Sequence, residues 1–299
     1  MELTVLGTSS MIPTKERNVS GYFLAFEKEG ILLDCGEGTQ RQMNHAGIRR
    51  TRVTRVLITH WHGDHVSGLI GLLQTIGNEE PTTKLEVHGP QETKKRMQHL
   101  LQSCVFENKV QLEIYEHDPK KITTIIDTKT FRVQCAPMAH SVACIGYAIE
   151  IKSTLHINTE KVKKLGLKDG PWMREICEGK SVHVGKMVVK PEQVTFVENG
   201  KKFVYIPDTT LNKFIPMLAK DADVMLIEST YAADLPEKAE EYMHLTANDA
   251  AMMAQQANVK RLVLTHFSQR YKEVSQIQSD ASTIFPETVC AYDFMKIKV

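Results

Sequence analysis

The stretch Thr59-His60-Trp61-His62-Gly63-Asp64-His65 places three imidazoles and one carboxylate within six residues. The run Arg55-Val56-Leu57-Ile58 before it predicts a buried strand, and apolar residues at helical spacing follow from Val66 to Leu73. The cluster is therefore expected on a strand-to-helix loop, at the strand end where α/β proteins usually bind ligands. Imidazole and carboxylate side chains together favour a divalent metal such as Zn²⁺.

The spacing within this cluster suits two metal ions rather than one. Residues two apart on an extended segment point the same way, so His60 and His62 can bind a single ion. Asp64 and His65 lie beyond the turn and can face a neighbouring ion. Two ions ~3.5–4 Å apart can hold both the attacking and the leaving oxygen of a displacement at phosphorus. Four local ligands do not complete two such sites, so further ligands are expected elsewhere in the chain.

Three later strands are each followed by a further candidate ligand. His140, Asp208 and His266 come shortly after apolar segments that predict strands. The segments are Phe131–Cys135, Lys201–Ile206 and Arg261–Thr265. A carboxylate at Asp208 can bridge two metals with its two oxygens, whereas a lone histidine such as His140 is as often a buried core residue. The repetition at four strand ends indicates one shared site more strongly than any single residue does.

The length and composition of the chain limit the classes of function that it can have. A chain of 299 residues is long enough for one large α/β domain, and no apolar run is long enough to span a membrane. The six cysteines form no C-x-x-C pair, which favours a reducing compartment, and we expect the cytoplasm. Met1–Gly7 predicts a strand and a turn rather than a signal peptide. The net charge of +1 does not by itself indicate a nucleic-acid binder, so RNA binding would need locally concentrated basic residues.

Several other segments carry chemistry of their own. The loop Pro13–Asn18 holds two cations, although a solvated surface loop is the more common interpretation of such a segment. Asp34 ends a predicted hairpin strand and can orient a ligand histidine or simply start a turn. Glu228 ends an apolar strand, and His244 opens the capping sequence of a helix expected to run to Ala257. Three histidines without nearby partners are predicted to be structural or to lie on the surface: His88, His99 and His117.

Residues 152–200 differ in character from the rest of the chain. The hydrophobic periodicity weakens there, and from Glu160 to Lys190 the sequence carries eight Lys or Arg against four Asp or Glu. We predict that this segment is an arm inserted into the domain. Its positive charge and Trp172 would suit phosphate contacts and base stacking, although composition alone slightly favours an ordinary solvated insertion.

Together these features resemble the metallo-β-lactamase fold, an α/β four-layer αββα sandwich. Over its whole length the chain is similar to the short form of the tRNase Z (ribonuclease Z) family of tRNA 3′-processing endonucleases. The matching motifs are P-x-K-x-R-N at Pro13–Asn18, D-C-G-E-G-T-Q at Asp34–Gln40, the E-A-T part of H-E-A-T at Glu228–Thr230, H-S-T at His244–Thr246, the segments His266–Tyr271 and Ala291–Phe294, and Gly170-Pro171 within a basic insertion. Among the positions that depart from the family pattern, Pro207, Ile227 and Leu245 are neither ligands nor acid–base groups.

The resemblance implies a site that binds two Zn²⁺ ions per subunit. It assigns His60, His62 and His140 to one ion, Asp64, His65 and His266 to the other, and Asp208 to a bridge between them. It also implies that Asp64 takes or orients the proton of the attacking water. His244 would donate a proton to the leaving ribose 3′-oxygen, and Glu228 would hold its imidazole in the right tautomer.

The resemblance further implies how precursor tRNA binds. Lys15, Arg17 and Asn18 would lie near the 3′ end of the acceptor stem, and Gly170-Pro171 belongs to the arm that grips the tRNA body. The chain, 1–299, is then a single metallo-β-lactamase domain carrying an inserted arm at 152–200. Family members are homodimers in which the arm of one subunit serves the site of the other. The products would be a tRNA with a 3′-hydroxyl and a trailer with a 5′-phosphate.

Two other functions compete with this one. A small-molecule hydrolase of the same fold, of the phosphodiesterase or arylsulfatase type, would keep the metal ligands but has no need for a basic arm or for the Pro13–Asn18 loop. A non-catalytic RNA-binding protein predicts missing ligands or a missing His244, and none of these residues is missing.

Overall fold

The fold is built on two seven-stranded sheets in a computed structural model that describes residues 1–79, 84–185 and 187–299. The strands are, in chain order, β1 (Glu2–Gly7), β2 (Gly21–Phe26), β3 (Glu29–Cys35), β4 (Arg55–Leu57), β5 (Lys84–Gly89), β6 (Gln111–Glu116), β7 (Thr123–Asp127), β8 (Phe131–Met138), β9 (Cys144–Ile151), β10 (Thr154–Ile157), β11 (Val182–Val184), β12 (Met187–Val189), β13 (Thr195–Glu198), β14 (Lys201–Ile206), β15 (Val224–Glu228), β16 (Leu262–Thr265), β17 (Thr288–Cys290) and β18 (Lys296–Lys298). The helices are α1 (Thr39–His45), α2 (Gly63–Val66), α3 (Leu69–Glu79), α4 (Thr93–Gln102), α5 (Thr159–Lys164), α6 (Trp172–Cys177), α7 (Pro191–Val194), α8 (Phe214–Ala219), α9 (Pro236–Glu241), α10 (Ala247–Gln256) and α11 (Ser275–Ile284), with a 3₁₀ turn at Arg50–Arg52.

The first sheet has the strand order β18-β1-β2-β3-β4-β5-β6. β1 pairs antiparallel with both β18 and β2, and β2 pairs antiparallel with β3, so the hairpin predicted over residues 21–35 is present. From β3 to β6 the strands run parallel. β3 and β4 are buried along most of their length, as expected for parallel strands covered on both faces. The stretch Thr59–His65 leaves this sheet just beyond the carboxyl end of β4.

The second sheet has the strand order β17-β16-β15-β14-β9-β8-β7. β14, β15, β16 and β17 are mutually parallel, so their carboxyl ends lie at the same edge. Asp208 follows β14, Glu228 is the last residue of β15, and His266 follows β16. The predicted strands therefore deliver their polar residues to one place.

Helices cover the outer face of each sheet, and the inner faces pack against each other. Leu72 of α3 belongs to a core shared with β3, β4 and β5, and Ala250 of α10 belongs to a second core shared with β14, β15 and β16. Between the sheets, the ring of Tyr22 lies 5.0 Å from the ring of Tyr205, and both side chains are fully buried. The predicted α/β four-layer architecture is confirmed.

The helix after His65 is divided, where the sequence pattern predicted a continuous one. α2 ends at Val66, and α3 begins only at Leu69, because the backbone between them packs against the loop after β3. A Cβ atom on Gly68 would lie 2.1 Å from the carbonyl oxygen of Gly36. No side chain fits there, so the chain turns at this glycine, and the last residues of the histidine cluster lie on a short helical turn.

The helix after His244 begins as its capping sequence predicts. Thr246 is the N-cap of α10, its hydroxyl accepts from the Asp249 N–H at 3.2 Å, and the Asp249 carboxylate accepts in return from the Thr246 N–H at 3.0 Å. His244 itself lies in the loop before the helix. No helix within the described residues combines the length and the apolar character needed to cross a lipid bilayer.

The chain divides into two compact units. One comprises Met1–Ile125, Val133–Ile149 and Lys202–Val299, and it contains all the candidate metal ligands. The other comprises Ile126–Arg132 and Glu150–Lys201, which includes the predicted arm at 152–200. The assignment of 1–299 to a single domain with an inserted arm stays a prediction.

The second unit has a small hydrophobic core of its own. Val162, Ile176 and Val189 are buried there, and Trp172 packs against them. The indole N–H of Trp172 donates to the carbonyl oxygen of Lys168 at 3.0 Å. Trp172 therefore contributes to the core of this unit, and its role in base stacking stays a prediction.

Candidate metal centre

Three histidine nitrogens meet where β4 and β8 end. His60 Nε2 lies 3.1 Å from His62 Nδ1, and His62 Nδ1 lies 3.3 Å from His140 Nε2. Ligands at zinc-to-nitrogen distances of 2.0–2.1 Å on a tetrahedron are separated by about 3.3–3.4 Å. The three nitrogens therefore have nearly the spacing that one tetrahedral zinc ion requires.

A second group lies beside the first. His65 Nε2 and His266 Nε2 are 3.4 Å apart, and each lies 3.5 Å from Asp64 Oδ2. These three atoms form an almost equilateral triangle with the edge length of a tetrahedral metal site. The structure thus brings together the residues that the sequence analysis assigned to a second ion.

Asp208 lies between the two groups. Its Oδ2 is 3.8 Å from His60 Nε2 and 4.0 Å from His140 Nε2, whereas its Oδ1 is 3.5 Å from His65 Nε2 and 3.3 Å from His266 Nε2. Oδ1 is buried and has no hydrogen-bond donor among the described residues. A buried carboxylate oxygen without a donor is costly unless a cation occupies the space it faces, so Asp208 fits a bridge between two ions.

In four of the five histidines, the ring nitrogen that points away from the two groups lies close to an oxygen atom. The distances are 3.0 Å from His60 Nδ1 to Thr59 Oγ1, 2.8 Å from His65 Nδ1 to Asp34 Oδ2, 3.2 Å from His140 Nδ1 to the carbonyl oxygen of Met243, and 3.0 Å from His266 Nδ1 to Thr230 Oγ1. A proton donated on Nδ1 leaves the Nε2 lone pair directed into the group. Asp34 therefore has the orienting position predicted for it.

The electrostatics of the centre call for added positive charge. Four carboxylates, those of Asp34, Asp64, Asp208 and Glu228, meet here with little exposure. Burial would raise the pKa of Asp64, but the charges of His65 and His266 outweigh it and lower that pKa. Burial would likewise lower the pKa of His65, but the charges of Asp208, Asp64 and Asp34 raise it to about 10. The acidic groups thus stabilise a cation, and the donor set fits two zinc ions.

His244 forms a separate pair with Glu228 at the edge of the centre. Its Nδ1 donates to Glu228 Oε1 at 2.9 Å, and the Glu228 carboxylate also accepts from the N–H groups of Thr209 and Thr230 at 3.0 and 3.1 Å. Burial would lower the pKa of His244, but the charge and hydrogen bond of Glu228 raise it to about 9. The geometry is that of a histidine held by a fixed carboxylate, which suits proton transfer.

A cavity of about 530 Å³ opens onto this arrangement. His62, Asp64, His140, Asp208 and His244 line one side of it. The rim includes residues with aromatic or cationic side chains, namely Tyr231, Tyr242 and Arg270. The guanidinium of Arg270 lies 5.1 Å from the centre of the Tyr231 ring. An anionic linkage with neighbouring bases would meet both charge and aromatic surface here.

Comparisons with known proteins place the chain in a family. The family model described as Anti-Pycsar protein Apyc1 matches residues 1–287, so the chain is a member of the group that this model describes. The ribonuclease Z of Methanothermobacter thermautotrophicus is 39% identical over 303 residues, a match that covers 100% of this chain and 97% of the relative. The chain belongs to the ribonuclease Z family. Its members are enzymes of the metallo-β-lactamase superfamily.

Solved structures agree with the ribonuclease Z assignment. Human tRNase Z, short form, superposes with a TM-score of 0.75 at 25% identity, and the match covers 100% of this chain and 99% of that one. The metallo-β-lactamase fold protein YhfI from Bacillus subtilis superposes with a TM-score of 0.71 at 18% identity over 99% of this chain and 98% of that one, which supports the fold alone.

The P-x-K-x-R-N loop of the ribonuclease Z pattern is largely tied to the protein. The guanidinium of Arg17 donates to the carbonyl oxygens of Ser268 and Tyr271 at 3.3 and 2.7 Å. The side-chain amide of Asn18 donates to the carbonyl oxygen of Glu37 at 2.9 Å. Lys15 is exposed. Substrate binding by these three residues stays a prediction, as it does for Gly170 and Pro171 in the second unit.

Two of the departures from the ribonuclease Z motifs are core residues. Ile227 and Leu245 are fully buried in the core of the second sheet, away from the metal ligands. Pro207 precedes Asp208 at the end of β14, and Asp208 nevertheless takes up the bridging position. The departures therefore leave the centre intact.

The sequence analysis missed two groups that hold the centre together. The hydroxyl of Thr230 donates to Glu228 Oε2 at 2.7 Å and accepts from His266 Nδ1, so it connects the acid–base pair with a metal group. Its place in the E-A-T motif could have identified it. The backbone N–H of Met11 donates to Asp64 Oδ2 at 2.8 Å. No side-chain pattern reveals a backbone donor.

Proposed function

We propose that this ribonuclease Z family member is a zinc-dependent endoribonuclease that removes the 3′ trailer from precursor tRNA. The observation that carries the proposal is the pairing of seven converging metal-ligand side chains with the His244–Glu228 pair on one cavity. The names of the relatives, ribonuclease Z and tRNase Z, support tRNA as the substrate.

We assign two Zn²⁺ ions to each subunit. His60, His62 and His140 would hold one, Asp64, His65 and His266 would hold the other, and Asp208 would contribute to both. When bound, the ions would supply Lewis-acid chemistry: they would lower the pKa of water toward neutrality and neutralise charge on the phosphate oxygens.

The remaining chemistry is proton transfer by this chain's own side chains. Asp64 faces the cavity and accepts or orients the proton of the attacking water. His244 donates a proton to the ribose 3′-oxygen as the P–O bond breaks, since an alkoxide is a poor leaving group. Glu228 fixes the tautomer of His244, because its Oε1 accepts from Nδ1 and leaves Nε2 to act on the substrate. The products are a tRNA with a 3′-hydroxyl and a trailer with a 5′-phosphate.

Binding of precursor tRNA falls to residues outside the centre. Lys15, Arg17 and Asn18 face the 3′ end of the acceptor stem, and the arm at 152–200, with Gly170 and Pro171, grips the tRNA body through phosphates and shape rather than base edges. The working form is a homodimer in which each arm serves the other subunit's centre. The cytoplasm is the proposed location, in keeping with the unpaired cysteines.

Trailer release from a 3′-extended precursor tRNA tests the proposal. The zinc-loaded wild type is expected to release a trailer with a 5′-phosphate, which end-labelling identifies. His244→Ala is expected to bind two zinc ions but to release almost none. A matched control, His99→Ala, removes an exposed histidine of α4 outside the centre and should cut at the wild-type rate. If the zinc-loaded wild type hydrolyses small phosphodiesters but leaves precursor tRNA uncut, the small-molecule hydrolase is the better assignment.

A further inference from the structure

Asp293 is a partly buried carboxylate that the proposed reaction does not use. Its Oδ2 accepts from the backbone N–H of Asn18 at 2.7 Å and from the side-chain amide of Gln42 at 3.0 Å, and its Oδ1 accepts from the hydroxyl of Thr8 at 2.9 Å. The backbone beside it is fixed as well, because the Phe294 N–H donates to the carbonyl oxygen of Val5 at 2.7 Å. Asp293 thus forms hydrogen bonds with both ends of the segment from Thr8 to Asn18.

Burial raises the pKa of Asp293 to about 6, although the hydrogen bonds from Asn18 and Thr8 act to lower it. At neutral pH the group is therefore mainly a carboxylate. A carboxylate accepts hydrogen bonds from backbone N–H groups more strongly than a neutral oxygen does.

The two ends of this segment are also joined to each other. The N–H groups of Thr8 and Ser9 both donate to the carbonyl oxygen of Asn18, at 2.9 and 2.8 Å. The Thr8–Asn18 segment is therefore a closed loop. Asp293 stabilises this closed loop, because its carboxylate accepts from the Thr8 hydroxyl and from the Asn18 N–H at the base of the loop.

This loop holds the backbone next to a metal-ligand residue. The Phe267 N–H donates to the carbonyl oxygen of Thr8 at 2.8 Å, and the Ser10 N–H donates to the carbonyl oxygen of Phe267 at 3.0 Å. Phe267 directly follows His266, which has a left-handed φ of 61°. That conformation is unfavourable for a side chain with a Cβ atom, so the pairing of Phe267 with the loop keeps His266 in place.

The same loop also holds a second ligand residue. At its tip the Met11 N–H donates to Asp64 Oδ2, the oxygen that faces His65 and His266. Met11 likewise has a left-handed φ, 61°, and the Ser9 hydroxyl braces the tip by donating to the carbonyl oxygen of Ile12 at 2.7 Å. The loop therefore forms hydrogen bonds both with Asp64 and with the residue that follows His266.

We propose that Asp293 is a positioning residue for one of the two metal groups, that of Asp64, His65 and His266. It acts through the Thr8–Asn18 loop on the orientation of Asp64 and on the backbone of His266. The inference rests on the metal binding in the proposed function.

The other group is supported from elsewhere. His60 is held by Thr59, and His140 is held by the carbonyl oxygen of Met243. Within the parts of the chain that the structure describes, no hydrogen bond joins the Thr8–Asn18 loop to His60, His62 or His140. Loss of Asp293 should therefore weaken one metal group and spare the other, which a general loss of stability would not do.

The test is a Co²⁺ titration of the metal-free full-length chain, followed by calorimetry and the cobalt absorption bands. Asp293→Ala is expected to weaken one of two binding events at least tenfold and to leave the other within twofold. Asp293→Asn keeps the side-chain volume and one acceptor oxygen, so its Co²⁺ affinity should lie between those of Asp293→Ala and wild type. The matched control is Asp223→Ala, because Asp223 also accepts a backbone N–H, from Lys202 at 2.8 Å, but lies just before β15 and away from the centre.

Two further variants identify which of the two metal groups Asp293→Ala affects. In His266→Ala, which has lost the sensitive group, adding Asp293→Ala should change Co²⁺ affinity by less than twofold. In His140→Ala, which keeps the sensitive group, adding Asp293→Ala should still weaken Co²⁺ binding at least tenfold. Equal weakening of both binding events by Asp293→Ala, or affinities unchanged in a folded variant, would overturn the inference.

Amide exchange separates this inference from the proposed function. Asp293→Ala should speed exchange of the Met11 and Ser10 amides in the metal-free chain, and Asp223→Ala should not. Unchanged exchange in Asp293→Ala refutes the positioning role. If the wild type binds no Co²⁺ or Zn²⁺, the proposed function fails, and the exchange result alone then decides for or against Asp293 as the anchor of the loop.

Discussion

Replacing Glu228 by Gln probes how the protein protonates the leaving oxygen. Glu228 is fully buried, and its carboxylate accepts from His244 Nδ1 at 2.9 Å, from the N–H groups of Thr209 and Thr230, and from the Thr230 hydroxyl at 2.7 Å. Gln keeps the shape but turns an NH₂ group toward some of these donors. The variant therefore weakens the hold on His244 without removing the imidazole.

The size of the effect follows from the hydrogen bond that is changed. A bond to a charged group contributes about 1.5–3 kcal/mol and a neutral one about 0.5–1.5 kcal/mol, so the His244–Glu228 bond should weaken by about 1–2 kcal/mol. At 1.36 kcal/mol per factor of ten, that corresponds to a roughly 5–30-fold slower cleavage. His244→Ala removes the acid entirely and should cost about 10²–10⁴-fold.

The assay compares two leaving groups on the same enzyme. One substrate is a 3′-extended precursor tRNA, whose leaving ribose oxygen needs a proton. The other is a p-nitrophenyl phosphodiester, whose phenolate leaves without one. Glu228→Gln and His244→Ala should slow cleavage of the precursor tRNA by the factors given above. Their rates on the activated ester should stay within about threefold of wild type. Glu241→Gln, an equivalent change at an exposed position, should match wild type on both.

Equal losses on the two substrates would refute the acid role of His244. Such a result would mean that Glu228 and His244 support the metal centre as a whole. Zinc content measured on the same samples identifies that case directly, because the pair would then change the stoichiometry as well as the rate.

Three further predictions concern binding, metal affinity and stability. Lys163→Glu with Lys164→Glu on α5 should raise the KM for precursor tRNA about tenfold and flatten its salt dependence, whereas Lys94→Glu with Lys95→Glu, an exposed pair on α4, should do neither; equal effects of the two pairs would argue against the arm. Thr230→Val removes the hydroxyl that holds His266 and should weaken zinc binding about 10–100-fold in a competition titration, and unchanged affinity would contradict the role of that hydroxyl. Burial and the charge of His117 lower the pKa of His88 to about 4, so the fold takes up a proton there less readily than the unfolded chain does. The contribution of His88 to the free energy of unfolding is therefore fully present above pH 6.5 and falls by up to about 1.4 kcal/mol per pH unit toward pH 4. Urea unfolding should show this pH dependence in wild type and a shallower one in His88→Gln. Equal slopes in the two proteins would contradict the role of His88.

The convergence of the candidate metal ligands could be predicted because their placement follows from simple rules. A strand end is visible in the sequence as the end of an apolar run, and parallel strands bring such ends together. His140, Asp208 and His266 could therefore be grouped with the His60–His65 stretch from the amino-acid sequence alone. The capping box at Thr246 is equally local and was equally predictable.

What could not be predicted depends on contacts between distant backbones. The break between α2 and α3 arises because Gly68 packs against the carbonyl oxygen of Gly36, which no periodicity encodes. The donor from Met11 to Asp64 is a backbone group in a left-handed conformation, so the residue type gives no sign of it. The packing of Trp172 against the small core of the second unit joins residues distant in sequence, which no local pattern encodes, and its role in base stacking stays a prediction.

The pairing of β1 with β18 has a consequence for the nascent chain. Glu2 is synthesised long before Lys298, yet they are opposite each other at one edge of the first sheet. At about 5–20 residues per second, roughly 10–50 s separate the synthesis of His60 from that of Asp293. His140, Asp208 and His266 are all synthesised within that interval, so both candidate metal groups are incomplete at its start. The pairing of β18 with β1 and the hydrogen bond from the Asn18 N–H to Asp293 therefore form late in synthesis.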